Sequence, residues 1–221
     1  MRFTFTDRQS GFSLPPFNSG NLALHVGDDP ALVARNRGVL EADFPRLQFM
    51  NQVHGNDVAD VLAQSSPPEA DALITTEVGI ALVVLVADCI PLLLWDDRFS
   101  VIAAVHVGRR GLVNGVALKT VERMREVSSG QITGVMGPSI CGACYEVDAA
   151  TYEEVVAKVP ESKSETRIGT LGLDLPNGLY HQLLAANVRV DKSGECTLEN
   201  EAFFSYRRAQ ITGRQAGIIT L

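Results

Sequence analysis

Long apolar stretches are absent from this chain, and an apolar core is absent from its amino terminus. The longest apolar run, residues 79–95, is interrupted by Asp88 and Pro91 and is too short to span a bilayer. Residues 1–7 alternate in polarity like a β-strand and lack the apolar core of an export signal. These absences predict a cytoplasmic protein that does not enter a membrane.

Positively charged residues are fewer than negatively charged ones. The 221 residues carry 19 Lys and Arg against 26 Asp and Glu, which gives a formal net charge of −7. This balance provides no electrostatic footprint for non-specific nucleic-acid binding, so an anionic small substrate would need a local basic pocket. Four cysteines without an export signal indicate reduced thiols or metal ligands, and they argue against a disulfide framework.

The composition is that of a globular protein, with 46% hydrophobic and 20% charged residues. Strand and helix patterns are mixed without regular alternation or repeat, which predicts one α+β domain over residues 1–221, with mixed β-sheets packed against helices. The predicted strands span residues 3–6, 47–53, 58–62, 80–86, 92–95, 101–106, 132–136, 203–206 and 216–221. The predicted helices span residues 28–40, 111–127, 149–159 and 176–187.

Three apolar segments end at a residue that can bind a metal or act as a nucleophile. His54, Cys89 and His106 each follow a strand-like run, and strand ends tend to gather functional sites. Two imidazoles and one thiol can hold zinc and leave a fourth position open for water or substrate. The same residues could instead form a Cys/His nucleophile pair, with Asp88 as a turn residue or an orienter of an imidazole. The residues alone leave both interpretations open.

Two further groups have less specific patterns. Arg110 lies four residues after His106 in a glycine-bounded loop, and guanidinium groups bind phosphate in a bidentate manner, so Arg110 is the preferred anion-binding candidate. Cys141 and Cys144 have the spacing of a redox pair or of half a zinc ribbon. Because a zinc ribbon needs a second pair and Cys196 is isolated in the sequence, ordinary loop cysteines are the favoured interpretation.

Several motifs, in order along nearly the whole chain, resemble the laccase-domain or polyphenol oxidoreductase family, whose members are regarded as purine nucleoside phosphorylases. These motifs occupy residues 19–22, 25–30, 36–37, 51–55, 71–75, 87–91, 103–108, 137–147, 196–197, 204–208 and 212–217. One position departs from the family pattern, because Arg109 stands where the family has a tryptophan. Arg110 matches the family's arginine.

The resemblance implies a Cys/His hydrolase-like fold and a purine nucleoside phosphorylase activity. Adenosine, inosine and related nucleosides would be cleaved by phosphate to a free base and ribose 1-phosphate, with adenosine deamination at the same site. The family is also linked to editing of peptidoglycan precursors. The implied metal ligands and catalytic residues are His54, Cys89 and His106, which would bind one zinc ion, and the implied substrate-binding residues are Asn21, Gln52, Asp88 and Arg110.

Other functions remain as alternatives. Four histidines are too few for the full copper set of a multicopper laccase, although a single copper also suits a His₂Cys site. A metal-free cysteine hydrolase could use Cys89 as its nucleophile on an amide of a cell-wall precursor. A nucleoside sensor without turnover is the third alternative. The expected partners are a purine nucleoside and phosphate, with no nucleic acid and no membrane, and a monomer is compatible with the sequence.

Overall fold

A six-stranded mixed sheet forms the centre of the molecule, which the computed structural model describes over residues 1–221. In spatial order its strands are β11 (Arg189–Lys192), β8 (Ile132–Met136), β6 (Ile90–Asp96), β7 (Ile102–Val107), β4 (Ala72–Thr75) and β3 (Val58–Asp60). The outermost pair at each edge is parallel, whereas the inner pairs are antiparallel. This mixture of directions confirms the prediction of a mixed sheet.

A second, four-stranded sheet packs on one face of the central sheet. Its strands in spatial order are β1 (Arg2–Phe5), β12 (Gln215–Thr220), β5 (Ala81–Val86) and β2 (Leu47–Gln48). Leu82 and Val84 of this sheet meet Leu93 and Ala104 of the central sheet in one apolar cluster. Every residue of β5 and β7 is buried, and strands covered on both faces carry continuous apolar runs, which explains why these strands could be predicted.

Helices cover the two outer faces of this sheet pair. They are α1 (Pro30–Leu40), α2 (Arg109–Asn114), α3 (Val116–Val127), α4 (Ala149–Lys158) and α5 (Leu175–Ala185), accompanied by a 3-10 turn (Pro160–Ser162) and a small hairpin of β9 (Lys163–Glu165) and β10 (Leu171–Leu173). Helices α2 to α5 pack on the central sheet, and Leu40 of α1 packs with Leu22 on the four-stranded sheet. The α+β class is therefore confirmed. None of the helices combines the length and apolar character that a bilayer crossing requires.

Capping side chains explain where two of the helices begin. The Asp29 carboxylate accepts the backbone N–H of Ala31 at 2.8 Å, and Pro30 occupies the first turn of α1, as predicted. The Asp174 carboxylate accepts the backbone N–H of Asn177 at 2.8 Å and starts α5 in the same way. An aspartate cap followed by proline is a local signal, so these two boundaries follow from the sequence.

The predicted helix over residues 111–127 was wrong in one respect, because it is two helices. Gly115 adopts a φ of 74°, in the left-handed region, and ends α2 while α3 begins at the next residue. Apolar residues keep helical spacing on both sides of this break, since both helices pack on the same sheet. The spacing therefore conceals the break, and only the glycine itself marks it.

The predicted strand over residues 203–206 was wrong, and four short strands, β4, β9, β10 and β11, were not predicted. The Phe204 backbone donates to Oε1 of Gln215 at 2.7 Å and accepts from Nε2 at 3.1 Å, so a side chain replaces the neighbouring strand there. Strands β4 and β11 have only four residues each, too few for a clear alternation. Their partners in the sheet stabilise them.

The left-handed conformation at Gly115 gives a prediction on stability. A Cβ at Gly115 would meet no atom within 4 Å, so Gly115→Ala should cost only the conformational strain, about 1 kcal/mol of unfolding free energy. Gly38 in α1 also has open space around it but lies in ordinary helix, so Gly38→Ala should stabilise by up to about 1 kcal/mol. Urea unfolding of both variants would measure these changes in unfolding free energy. Equal changes in the two variants would contradict the left-handed conformation of Gly115.

Candidate active site and metal centre

His54, Cys89 and His106 converge at one end of the two sheets. Their ligand atoms, ring nitrogens and Sγ, all lie within 4.8 Å of one another. Cys89 lies in the short connection by which the chain leaves β5 in one sheet and enters β6 in the other, and His106 lies near the end of β7. The two imidazole ring centroids are 4.7 Å apart, with the ring planes at 82°. The structure therefore joins the three predicted ligands in one cluster that could bind a metal.

The backbone is unusual at two positions beside this cluster. His54 has a φ of 59° and Asp88 a φ of 92°, both in the region that favours glycine. Non-glycine residues persist in this region only when the surrounding structure holds them there, and such residues concentrate at functional sites. The turn at His54 and the turn before Cys89 therefore direct their side chains at a conformational cost.

A buried carboxylate, Asp71, fixes both histidines of the cluster. It accepts a hydrogen bond from His106 Nδ1 at 2.7 Å and backbone N–H bonds from Val53, His54 and Gly55 at 3.2, 3.0 and 2.6 Å. A carboxylate that accepts the hydrogen bond from Nδ1–H orients the ring and leaves Nε2 free for a ligand, as in zinc sites. Asp71 opens one of the sequence motifs but has no role that is predictable from the sequence, because its carboxylate contacts a histidine 35 residues further along the chain.

The charges of the cluster shift the pKa values of its members in opposite directions. Burial raises the pKa of Cys89, but the charge of His106 and the hydrogen bonds from both imidazoles outweigh it and bring the pKa down to about 6. Burial lowers the pKa of His106, but the Cys89 thiolate and Asp71 outweigh it and raise the pKa to about 9. Without a metal, the pair is a thiolate and an imidazolium between these values, while a bound cation would displace the His106 proton.

Gly108 allows the chain to pass directly against the cluster. A Cβ at this position would lie 3.1 Å from Cys89 Sγ and 3.2 Å from His54 Cδ2. Both distances are tighter than ordinary contacts, so a side chain there would make the two ligands shift by a few tenths of an ångström. Packing against the cluster therefore favours glycine between His106 and α2, since its φ of −85° is open to all residues.

The cluster opens into a cavity of about 800 Å³, a volume typical of small-molecule sites. Three arginines line it, namely Arg109, Arg207 and Arg214, together with Tyr145 and Tyr206. The acidic chain therefore has the local basic pocket that an anionic substrate requires. Burial lowers the pKa of Arg214 but leaves it a cation, since an arginine titrates far above neutral pH.

Contacts hold two of these guanidinium groups in place. Arg207 donates from Nη1 to the Glu146 carbonyl at 2.8 Å and lies over the Tyr145 ring, 5.0 Å from its centroid. Arg214 donates from Nη1 to the Thr212 carbonyl at 3.0 Å and to the Gly213 carbonyl. Only one nitrogen of each fork is used in these contacts, so the remaining N–H groups can bind an anion.

Two of the predicted substrate-binding residues line the cavity. The Gln52 side-chain amide both donates to and accepts from the Leu85 backbone, at 2.8 and 2.9 Å. Asp88 accepts from Thr197 Oγ1 and from the Arg207 backbone N–H, each at 2.7 Å. Both side chains are thus engaged with the protein and shape the wall of the cavity.

The structure brings neither Asn21 nor Arg110 to the cavity. Asn21 is fully buried, with its Nδ2 bonded to Asp28 and its Oδ1 accepting from the Arg214 backbone, so it supports the arginine from behind. Arg110 is exposed, and Arg109 lines the cavity in its place. The two arginines open α2, where successive side chains point about 100° apart, so the sequence did not show which one faces inward.

The lowered pKa of Cys89 predicts a selective thiol in the metal-free protein. After removal of metals with a chelator, iodoacetamide should alkylate Cys89 with a half-maximal rate near pH 6, because the thiolate reacts and persists above its pKa. His106→Ala should shift this midpoint upward and slow alkylation at pH 7, whereas His181→Ala on the exposed side of α5 should leave it unchanged. Peptide mass mapping against pH measures this, and a midpoint above pH 8 in the unmodified protein would contradict it.

Comparisons with known proteins agree along the whole chain. The family model described as multi-copper polyphenol oxidoreductase laccase matches residues 2–221. A purine nucleoside phosphorylase of Corynebacterium glutamicum is 46% identical, covering 100% of this chain and 94% of the relative. A purine nucleoside phosphorylase of Streptomyces griseus is 44% identical, covering 99% and 94%.

Solved structures show the same fold. A Neisseria meningitidis protein has a TM-score of 0.89 and 33% identity, covering 99% of this chain and 93% of that chain. YlmD from Geobacillus stearothermophilus has a TM-score of 0.86 and 33% identity, covering 99% and 90%. The chain therefore belongs to the polyphenol oxidoreductase laccase family, which includes relatives named purine nucleoside phosphorylase.

Proposed function

We propose that this protein is a zinc-dependent purine nucleoside phosphorylase that also deaminates adenosine. The observation that carries the proposal is a His₂Cys donor set opening into a cavity with three arginines, in a chain 46% identical to a purine nucleoside phosphorylase. Residues 1–221 would act as one catalytic domain. Four unpaired cysteines fit the predicted cytoplasmic location, where thiols stay reduced and nucleosides and phosphate are available.

The donor set fits zinc. His54, Cys89 and His106 supply two nitrogens and one sulfur, and Asp71 accepts from Nδ1 of His106, so that Nε2 is free to bind. Bound there, zinc would supply a Lewis acid and lower the pKa of a coordinated water to about 7. The chain's own contribution is to keep the proton on His106 Nδ1, which donates it in a hydrogen bond to Asp71, and to provide a glycine at position 108, where a side chain would displace the ligands.

The arginines suit phosphate as the attacking group. In phosphorolysis a phosphate oxygen forms the bond to C1′ of the ribose while the bond to the purine nitrogen breaks. Arg109, Arg207 and Arg214 would bind the dianion through paired N–H donors and hold it against the sugar. Because positive charge develops on the sugar, a fixed anion beside it also stabilises the transition state.

Aromatic side chains suit the purine. Tyr145 and Tyr206 line the same cavity, and flat rings of this kind bury and orient a base. Burial raises the pKa of Tyr145, so its hydroxyl stays protonated and can donate a hydrogen bond to the base as it accumulates negative charge. In deamination, water would attack C6 of adenine in place of phosphate attacking C1′, and ammonia would leave.

Two alternatives keep specific support. The lowered pKa of Cys89 beside His106 suits a cysteine hydrolase acting on a peptidoglycan precursor, without a metal. The description of the family favours copper, and a His₂Cys set also suits a single copper for a polyphenol oxidoreductase. A chelator should leave the hydrolase active, and metal analysis separates zinc from copper. A monomer is compatible with each of these functions.

A product analysis tests the proposed reaction. Protein loaded with zinc should convert adenosine and phosphate to adenine, with inosine and hypoxanthine from deamination, as resolved by chromatography. Without phosphate, inosine should still form and adenine should not. His106→Ala should lower both rates at least ~100-fold, because removing a ligand removes the metal's contribution, while His181→Ala should retain them. If the unmodified protein forms neither a free base nor inosine, the proposal is refuted.

The position of Arg109 gives a sharper test of phosphate binding. Arg109→Gln should raise the KM for phosphate by about 10- to 100-fold, because it removes a charge-assisted hydrogen bond to the phosphate. The rate of adenosine deamination, which does not use phosphate, should stay nearly unchanged. Arg110→Gln is the matched control, because Arg110 is exposed and lies outside the cavity. Steady-state kinetics with varied phosphate measures both variants. A larger effect at Arg110 than at Arg109 would place phosphate elsewhere.

A further inference from the structure

A second set of metal-binding side chains lies outside the His54–Cys89–His106 cluster. Cys141, Cys144, Cys196 and Glu199 bring three sulfurs and one carboxylate oxygen within 4.8 Å of one another. We propose that these four residues bind a structural Zn²⁺ ion. This site uses none of the residues of the proposed reaction, so the proposal can be tested independently of that reaction.

The fold brings the isolated cysteine to the pair. Ser139 forms a parallel bridge with Cys196, in which the Thr197 backbone donates to the Ser139 carbonyl at 3.1 Å. The Cys141 backbone N–H donates to Cys196 Sγ at 3.4 Å, and the Cys144 backbone N–H donates to the Cys141 carbonyl at 3.0 Å. A backbone N–H directed at a sulfur stabilises the thiolate form that a metal needs, as outer-shell hydrogen bonds do in metal sites.

The distances and the number of donors suit a closed zinc site. Zn–S bonds of about 2.3 Å in a tetrahedron separate the sulfurs by about 3.8 Å, and four protein ligands characterise structural sites. The group therefore needs to contract by less than about 1 Å. Cys144 Sγ lies 3.3 Å from Glu199 Oε1, so the fourth donor already contacts the pair. The two-residue spacing of Cys141 and Cys144 is that of half a zinc ribbon.

The charges around the group also favour a cation. Metal binding would ionise the three thiols, and the divalent ion would then offset half of the four negative charges of the group. Arg167 contacts the Glu199 carboxylate and offsets part of the rest. The backbone of Arg167 donates to the Ala143 carbonyl, between the two cysteines, so this arginine is held at the site. Arg167 would offset the negative charge on the outer side of the Glu199 carboxylate, while the three sulfurs bind the zinc ion.

An ion here would brace one wall of the cavity. It would join the segment after β8 to the segment around residue 197, and these two segments hold Asp88. The Ile140 backbone donates to the Asp88 carbonyl at 2.9 Å, and Thr197 Oγ1 donates to the Asp88 carboxylate at 2.7 Å. Asp88 precedes Cys89, and Ile140 and Tyr145 line the cavity. The second ion would thus fix the geometry of the wall without contacting the substrate.

Zinc counting tests the site. Protein purified with a reductant and freed of loose metal should contain two zinc ions per chain by mass spectrometry of the metal. Cys141→Ser/Cys144→Ser should lose one ion and keep the one at His106, whereas His106→Ala should lose the other. Glu199→Gln should release zinc to a chelator faster than Glu201→Gln, the matched control at an exposed glutamate outside the group.

Cobalt substitution gives a second measurement that does not depend on the stability of one variant. In the His106→Ala background, Co²⁺ should produce intense thiolate charge-transfer bands and tetrahedral visible bands, and Cys141→Ser/Cys144→Ser should abolish both. A single zinc per unmodified chain that disappears in His106→Ala would overturn the proposal. So would a Cys141–Cys144 disulfide, found by mass analysis, in protein kept under reductant.

Discussion

The buried carboxylate of Asp71 is the interaction on which the site depends. It accepts four N–H groups, three from the turn at residues 53–55 and one from His106 in β7, so it joins two distant parts of the chain. Burial of a charge is costly unless hydrogen bonds satisfy it fully, and here they do. One anion thus sets the backbone of the turn, the orientation of an imidazole and the electrostatic balance of the thiolate beside it.

Charge is distributed so that the fold is acidic overall and basic along one side of its cavity. Most of the acidic side chains lie on the surface, while Arg109, Arg207 and Arg214 face a cavity together. Asp88 balances this group, and burial lowers the pKa of Arg214 without neutralising it. Low-dielectric walls focus the field of such a group, so the net charge of −7 says little about the ligand.

The sequence indicated the strands and residues whose signals are local. Buried runs revealed β5 and β7, and an aspartate cap revealed α1. Apolar runs that precede them indicated His54, Cys89 and His106, although the strand before His54 ends at Gln48 and not at residue 53 as predicted. The sequence did not reveal features that depend on residues far apart along the chain. These are the role of Asp71, the pairing of the Phe204 backbone with the Gln215 side chain in place of a strand, and the approach of Cys196 to Cys141. Whether Arg109 or Arg110 faces the cavity depends on the angular position of each residue around α2, which the sequence did not show.

The bonds at Asp88 have a consequence for how the protein is made. Asp88 accepts from Thr197 and Arg207, which lie 109 and 119 residues further along the chain, and β5 pairs with β12 at residues 215–220. Contacts between such distant residues close late in folding, after the local ones. The pocket can therefore assemble only after residues 215–220 have left the ribosome, so the ligand set at Cys89 would be complete for a metal only after that point.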